Sequence, residues 1–233
     1  MTELTIVILC YRSEEQVLSF ARKVKNIALS LTSNSEIVLV GNYIEGSNDK
    51  TKLYIQQLVA EDKIYKSVCK PKEGMMGWDM KEGLQMATGK YLCVIDGDGQ
   101  FPIESIEKCY KLIKGGNYGL VKTYREKRND GFYRKTISFV YNNLFSLLYP
   151  KIKSKDVNSK PKIFTREVYE QLNLTSDDWF IDTEIMIRLV EIDSNYIEFP
   201  IEFYDLQGRA SFVKFSAIIE FLRNLIHFRF NRK

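Results

Sequence analysis

Tyr91–Pro102 reads YLCVIDGDGQFP. An apolar run ends abruptly in Asp96 and Asp98, with Gly97 between them and Gly99 and Gln100 after. A short apolar run bounded by turn residues has the length of a buried strand, yet this one gathers negative charge at its tip. Its neighbours decide the sheet. Leu4–Tyr11 (LTIVILCY) and Glu36–Gly41 (EIVLVG) are two more such runs, and a polar segment of helical character follows each. Ser13 with Gln16 three residues on is a capping-box pattern that opens a helix over about Glu14–Leu31. GSNDKTKLYIQQLVA leads into a second helix, KIYKSVC is a short strand, and GWDMKEGLQMATG is a helix stopping at Gly89. FPIESIEKCYKLIKGG then has Pro102 near the start of a helix and Gly-Gly at its end. Strands alternating with helices in this way predict α/β architecture: a mostly parallel central sheet with helices on both faces.

After Gly116 the alternation loosens. YGLVKTY is a further strand, and Asp130–Tyr149 is an amphipathic segment with apolar residues on one stripe. KIFTREVYEQL, IDTEIMIRLVEI, a last short strand YIEFPIEFY and a C-terminal helix SFVKFSAIIEFLRNLIHFRF complete the chain. No Ser/Pro-rich linker and no internal repeat divides it, so residues 1–233 read as a single domain.

Bulk properties narrow the function. The chain has 233 residues, 45% hydrophobic and 27% charged, the make-up of an ordinary globular protein. A net charge of +4 is too mild to argue for nucleic acid. No uninterrupted apolar stretch approaches the roughly 18 residues of a membrane span. The acidic start of MTELTIVILCYRSEE reads as a first strand, not a signal peptide. Cys10, Cys69, Cys93 and Cys109 form no C-x-x-C pair, which argues against a zinc site or disulfide framework and for a reducing cytosol. His227 is the only histidine, near the C-terminus, so histidine-based catalysis has little to build on.

In doubly wound sheets, ligands bind beyond the carboxyl ends of the strands, where Asp96 and Asp98 lie. Crowded carboxylates raise the cost of ionising both unless a cation sits between them. Two carboxylates and the Gln100 amide form an oxygen-only set suited to Mg²⁺ or Mn²⁺. Three other readings compete. Asp-Gly is a strong turn dipeptide on its own. An EF-hand would place oxygen ligands at Asp96, Asp98, Gln100 and Glu107, but Phe101 stands where that loop needs glycine. A phosphorylated aspartate would also sit at a strand end.

The blocks TIVILCYRSEE, EIVLVGNYIEGSNDKT and GWDMKEGLQMATGKYLCVIDGDGQFP, with YREKR, DVNSKPKIFTREVYEQL, WFIDTEIMIR and GRASF after them, resemble in order the family 2 glycosyltransferases. The likeness is to members of the polyprenyl-phosphate sugar synthase type. It implies a GT-A (Rossmann-like) domain whose first half, to about residue 116, binds the nucleotide, with the acceptor side after it. It implies an inverting transfer from a UDP- or GDP-linked sugar, with Mn²⁺ or Mg²⁺ as cofactor. It implies as acceptor a polyprenyl phosphate or, failing that, a saccharide hydroxyl in a cell-envelope glycan.

Position by position, the resemblance makes Asp96, Asp98 and Gln100 the metal and nucleotide-sugar motif. Tyr11 and Glu14 hold base and ribose, and Gly77 belongs to a loop closing over the nucleotide. Arg125 approaches the donor phosphates, Arg134, also on the donor side, and Ser138 match an arginine and a serine on the following helix, Arg209 and Ser211 fold over the diphosphate, and Glu184 lies on the acceptor side. Carboxylates at i, i+2 do not share a helix face, so of Asp182 and Glu184 one at most reaches a reacting group. Asp182 is the candidate base, needed only for a hydroxyl acceptor, with Glu184 positioning the acceptor. Asp156, Lys160 and Lys162 are either loop structure or acceptor-phosphate contacts. This chain departs from the family at Gly41 and Asn42, where a pair of aspartates is common, and at Asp79, where a small apolar residue is usual. The basic, aromatic Ser211–Phe230 segment suits either core packing or peripheral membrane contact, the latter at the cytoplasmic face of the plasma membrane. A reading from another class is a non-catalytic nucleotide-sugar or cation-binding module.

Overall fold

In the computed structural model, the structure is described for residues 2–126, 145–204 and 215–230, with side chains of the last stretch from residue 223. The alternation read from the first half is present as β1 (Leu4–Leu9), α1 (Gln16–Leu31), β2 (Ser35–Val40), α2 (Thr51–Glu61), β3 (Tyr65–Val68), α3 (Met76–Met86), β4 (Tyr91–Asp96), α4 (Ser105–Gly115) and β5 (Leu120–Arg125). β6 (Lys162–Thr165), α5 (Arg166–Leu172), α6 (Ile181–Glu191), β7 (Tyr196–Ile201) and α7 (Phe215–Phe230) follow. One seven-stranded sheet runs in the order β3-β2-β1-β4-β6-β5-β7. All pairings are parallel except those of β6, which runs against both β4 and β5.

All six residues of β1 are buried, as a parallel strand covered on both faces requires. Ile6 and Ile8 face Val17, Phe20 and Val24 of α1 and Ile106 and Cys109 of α4 in one core layer. Val7 and Leu9 join Met80 and Leu84 of α3 and Ile181 and Ile185 of α6 in the other. Each such side chain contributes about 1.5–3 kcal/mol of burial free energy.

Two local expectations change. Ser13 does not cap α1: the helix begins at Gln16 after Glu15, which makes no side-chain cap bond. Arg12 (φ 52°) and Glu14 (φ 49°) instead turn the chain through the left-handed region, closed by the Ser13 amide on the Cys10 carbonyl at 3.1 Å. The KIFT segment, read as one piece with the helix after it, is the antiparallel strand β6. Its four residues are too few to show a period, and Thr165 at its end caps α5 by accepting from the Val168 amide.

Register sets the functional edge. Leu9 lies opposite both Val40 and Asp96, so β1, β2 and β4 end level. Because β6 is reversed, its start comes to the same edge, with Lys162 opposite Val94. The end of β5 brings Arg125 there too.

Candidate functional site

The strand tip is a tight turn that presents charge. The Gly97 amide donates to the Leu9 carbonyl at 2.8 Å, an approach that a Cβ at Gly97, 3.0 Å from the same oxygen, would crowd. Gly99 has φ +76°, which glycine adopts without strain. Asp98 Oδ1 accepts the Gln100 amide at 3.1 Å, while Gln100 exchanges backbone and side-chain bonds with Tyr204 after β7. Turn and charged motif are therefore one structure. The EF-hand is excluded, since Asp96 ends a strand and Phe101 is buried against Phe203 at 5.1 Å between rings.

Among the described residues no three His, Cys, Asp or Glu side chains gather to hold a metal. The edge offers two carboxylates and an amide oxygen, hard donors that fit Mg²⁺ or Mn²⁺ when a diphosphate completes the shell.

Behind Asp96 lies a buried ionic chain that sequence reading missed. Lys160 Nζ is 3.4 Å from Asp96 Oδ2 and 3.2 Å from Asp182 Oδ2. Lys162 Nζ reaches Asp182 Oδ1 at 2.6 Å. Asp182 is 1% exposed, Lys160 2% and Lys162 0%. Burial alone would push the Asp182 carboxyl up, but the two ammonium groups outweigh it and hold it below its ordinary value. Burial pulls Lys162 down to about 7, with Lys160 and Lys122 adding to the effect against Asp182. Burial also opposes charge on Lys160, but Asp182 and Asp96 override it and raise its pKa. Asp182, expected as a general base, is thus a buried counter-ion of lowered basicity with no surface for a hydroxyl acceptor. Lysine is rarely buried, so nothing in SKPK marks this chain in advance.

Glu184 is also fully buried. It accepts from the Thr175 amide at 3.0 Å, the Thr175 hydroxyl at 2.8 Å and the Ser176 amide at 2.8 Å, and Arg188 Nε lies 3.7 Å away. That loop in turn meets the start of α3. The Asp177 carbonyl accepts from Met75 and Trp78, and the Asp178 carbonyl from Gly77 at 3.0 Å. A Cβ on Gly77 would sit 2.5 Å from the Ser176 carbonyl oxygen and 2.6 Å from that of Asp178. Gly77, expected to close over a nucleotide, therefore lets this loop seal the amino end of α3. Glu184, expected to position an acceptor, braces the loop from behind.

Tyr11, following β1, has Lys72 Nζ 4.5 Å and the Arg12 guanidinium 5.4 Å from its ring centroid. The Glu14 carboxylate accepts from the Lys50 amide at 3.3 Å, and its own amide donates to Thr51 Oγ1 at 2.9 Å. A pocket of about 290 Å³ opens between Arg12, Glu14, Ser47, Asn48 and Asp49. The departures at Asn42 and Asp79 explain each other. Asn42 Nδ2 donates to Asp79 Oδ1 at 2.9 Å, its Oδ1 accepts the Lys70 amide at 2.9 Å, and Lys72 pairs with Asp79. Asp79 of α3 thereby places a carboxylate beside the end of β2.

Arg125, expected at donor phosphates, grips Asp156 with Nε and Nη2 at 2.6 and 3.0 Å and covers the Phe203 ring at 5.1 Å. Arg134, Ser138, Arg209 and Ser211 lie outside the described residues. Along α7, Leu225 is buried and Phe228 stacks on Phe180 at 4.9 Å, whereas Phe230 is exposed. Among the described residues no helix is long and apolar enough to cross a membrane.

Known proteins share this architecture. The family model described as Glycosyl transferase family 2 matches residues 5–173. A dolichol-phosphate mannosyltransferase of Pyrococcus furiosus is 28% identical over 228 residues, 96% of this chain and 62% of that protein, so the chain spans under two thirds of that relative's length. Among solved structures, glucosyl-3-phosphoglycerate synthase from Mycobacterium tuberculosis in complex with phosphoglyceric acid superposes with a TM-score of 0.74 at 14% identity, over 98% of this chain and 80% of that one. The same synthase with Mn²⁺, uridine diphosphate and phosphoglyceric acid gives 0.72 at 13% identity, over 97% and 76%. Likeness at such identity is likeness of fold, here the GT-A fold.

Proposed function

This chain belongs to glycosyl transferase family 2, and from that premise we propose that it moves a sugar from a UDP- or GDP-linked donor to a polyprenyl phosphate. The reading rests on one observation. Level strand ends bring the Asp96–Gln100 turn and the Tyr11–Glu14 turn to one edge of the sheet, where doubly wound sheets take their ligands. The Pyrococcus furiosus relative, a dolichol-phosphate mannosyltransferase, supports the lipid-phosphate class.

Burial of Asp182 and Glu184 supports the same choice of acceptor. Neither carboxylate can take a proton from a bound hydroxyl. A phosphate is already ionised near neutral pH and attacks without a base. Its oxygen bonds to the anomeric carbon as the bond from that carbon to the donor diphosphate breaks. The nucleoside diphosphate leaves with the electron pair, and attack from the opposite face inverts the centre. Asp98, Gln100 and Asp96 would hold a Mn²⁺ or Mg²⁺ that neutralises charge on the leaving diphosphate. Tyr11 and Glu14 orient the nucleoside. Such an acceptor would bring the protein to the cytoplasmic face of the plasma membrane, with the exposed end of α7 available for contact.

A thermal-shift panel of UDP-, GDP- and dTDP-sugars with and without Mn²⁺ tests the donor side. A ligand at about a hundred times its Kd stabilises the fold by roughly 2.7 kcal/mol. We expect Mn²⁺-dependent stabilisation by one nucleotide class, lost in Asp98→Ala. Stabilisation by Mn²⁺ alone, indifferent to every nucleotide, would overturn the reading in favour of a cation-binding module. Transfer of labelled sugar to a polyprenyl phosphate, against oligosaccharide acceptors, tests the other side.

A further inference from the structure

Lys160 carries an inference that rests on the metal-assisted reading above and goes further. Its ammonium lies between two carboxylates, 3.4 Å from Asp96 Oδ2 and 3.2 Å from Asp182 Oδ2, with Met76 Sδ at 3.3 Å in a third direction. The Thr123 hydroxyl fixes its backbone carbonyl at 2.6 Å. Two simpler roles fail. Lys160 cannot anchor a substrate phosphate, because it is 2% exposed and its donors are engaged. Nor is it needed merely to balance Asp182, whose other oxygen Lys162 holds at 2.6 Å. What Lys160 adds is a fixed positive charge against the first aspartate of the strand-tip motif.

Two cations then compete for one carboxylate. A divalent ion approaching Asp96 meets an anion already half-satisfied, and an ammonium behind it whose repulsion is little screened in the protein interior. A donor diphosphate brings fresh negative charge and offsets the repulsion. We propose that Lys160 is a resident counter-cation that makes divalent-metal binding at Asp96 and Asp98 conditional on the nucleoside diphosphate. Metal and donor then enter as a unit, and metal alone is held weakly. Reciprocity requires the metal to tighten the nucleotide by the same factor. Lys160 is in this sense a positioning residue, acting through Asp96.

The test is equilibrium binding, followed as free Mn²⁺ by electron paramagnetic resonance, with and without UDP or GDP. Wild type should bind Mn²⁺ weakly alone and about tenfold or more tighter with the matching diphosphate. Lys160→Met should tighten binding of Mn²⁺ alone by about tenfold and shrink the coupling to the nucleotide in proportion. Lys160→Arg, which keeps the charge, should behave as wild type. A merely structural lysine predicts the reverse, looser Mn²⁺ binding in Lys160→Met, and that result or no change overturns the inference while leaving the transferase reading intact. Should Lys160→Met fail to fold, Lys160→Gln, neutral but polar, decides by the same measurement: tighter binding of Mn²⁺ alone with reduced coupling to the nucleotide supports the proposal, and unchanged or looser binding refutes it. If wild type takes up no Mn²⁺ even with UDP or GDP, both the inference and the metal-assisted reading fall.

Discussion

Gly77→Ala is a one-carbon test of how the Ser176–Asp178 loop of the later half of the chain is joined to α3 of the first half. The added methyl would stand 2.5 and 2.6 Å from the carbonyl oxygens of Ser176 and Asp178, and 3.0 Å from the Asp177 carbonyl carbon. All are backbone atoms, so no rotamer change relieves the clash. The loop must lift off the amino end of α3, loosening the bonds that Met75, Gly77 and Trp78 donate to Asp177 and Asp178. Overpacking costs about 1–3 kcal/mol, and each weakened hydrogen bond about 0.5–1.5 kcal/mol. Not all three bonds need be lost if the loop shifts as a body, so a net loss of about 2–4 kcal/mol follows. For a domain of this size that lowers Tm by roughly 4–16 °C. Gly115→Ala is the control, since a Cβ there meets nothing within 4 Å, and its Tm should hold or rise. Scanning calorimetry of the three proteins at one scan rate reads the result. A Gly77→Ala protein that melts with wild type would refute the idea that the loop clamps α3.

Asp182→Asn removes the shared counter-ion of Lys160 and Lys162, and urea unfolding should report a loss of about 3–5 kcal/mol, the usual cost of stranding a buried charge. In wild type, the folded Lys162 pKa of about 7 lies below its unfolded value of about 10.4. Between those two values the unfolded chain holds more protons, so stability rises with pH across that window. Lys160, shifted upward, contributes the opposite trend only above the unfolded value. The urea midpoint should therefore be higher at pH 9 than at pH 7, and Lys162→Met should flatten the difference. Asp79→Ala breaks the link from α3 to Asn42 and Lys72, and nucleotide titrations should show weaker binding with blurred discrimination between UDP and GDP. Unchanged affinity for both would remove this cluster from the nucleoside site. Arg125→Lys keeps charge but loses the bidentate grip on Asp156, a change that is not conservative at such a site. It should cost about 1–2 kcal/mol in urea unfolding, and a neutral result would argue that the pair is idle.

The parts legible in the sequence are those with short-range causes. β1, β2 and β4 are apolar runs because both faces of a parallel strand are covered, and Asp96–Gln100 stands out because charge at the end of such a run is costly without a purpose. Long-range pairing was not legible. Nothing local tells that Lys160 and Lys162 lie under the sheet edge, since their burial depends on Asp182, twenty-odd residues on, turning inward from α6. Arg125 and Asp156 each look like solvated charge until the chain returns on itself. β6 is hidden by its length, and the turn at Arg12–Glu14 by residues that seldom take positive φ. For Asp182 and Glu184 the i, i+2 spacing does separate the side chains, as expected. The surprise is that both directions lead inward, one to lysines and the other to loop amides.

The reversed strand β6 has a practical corollary. It enters the sheet between β4 and β5, although both precede it in the chain. A chain cut short near residue 116 would therefore strip β4 of a neighbour and leave Leu92, Cys93 and Val94 as a bare apolar margin, the kind that recruits other chains. Dissecting the protein near residue 116 into two separately expressed fragments should yield aggregates, with soluble material recovered only on co-expression. Any exchange of later segments between relatives would have to carry β6, with its own Lys162 and the preceding Lys160, as one cassette.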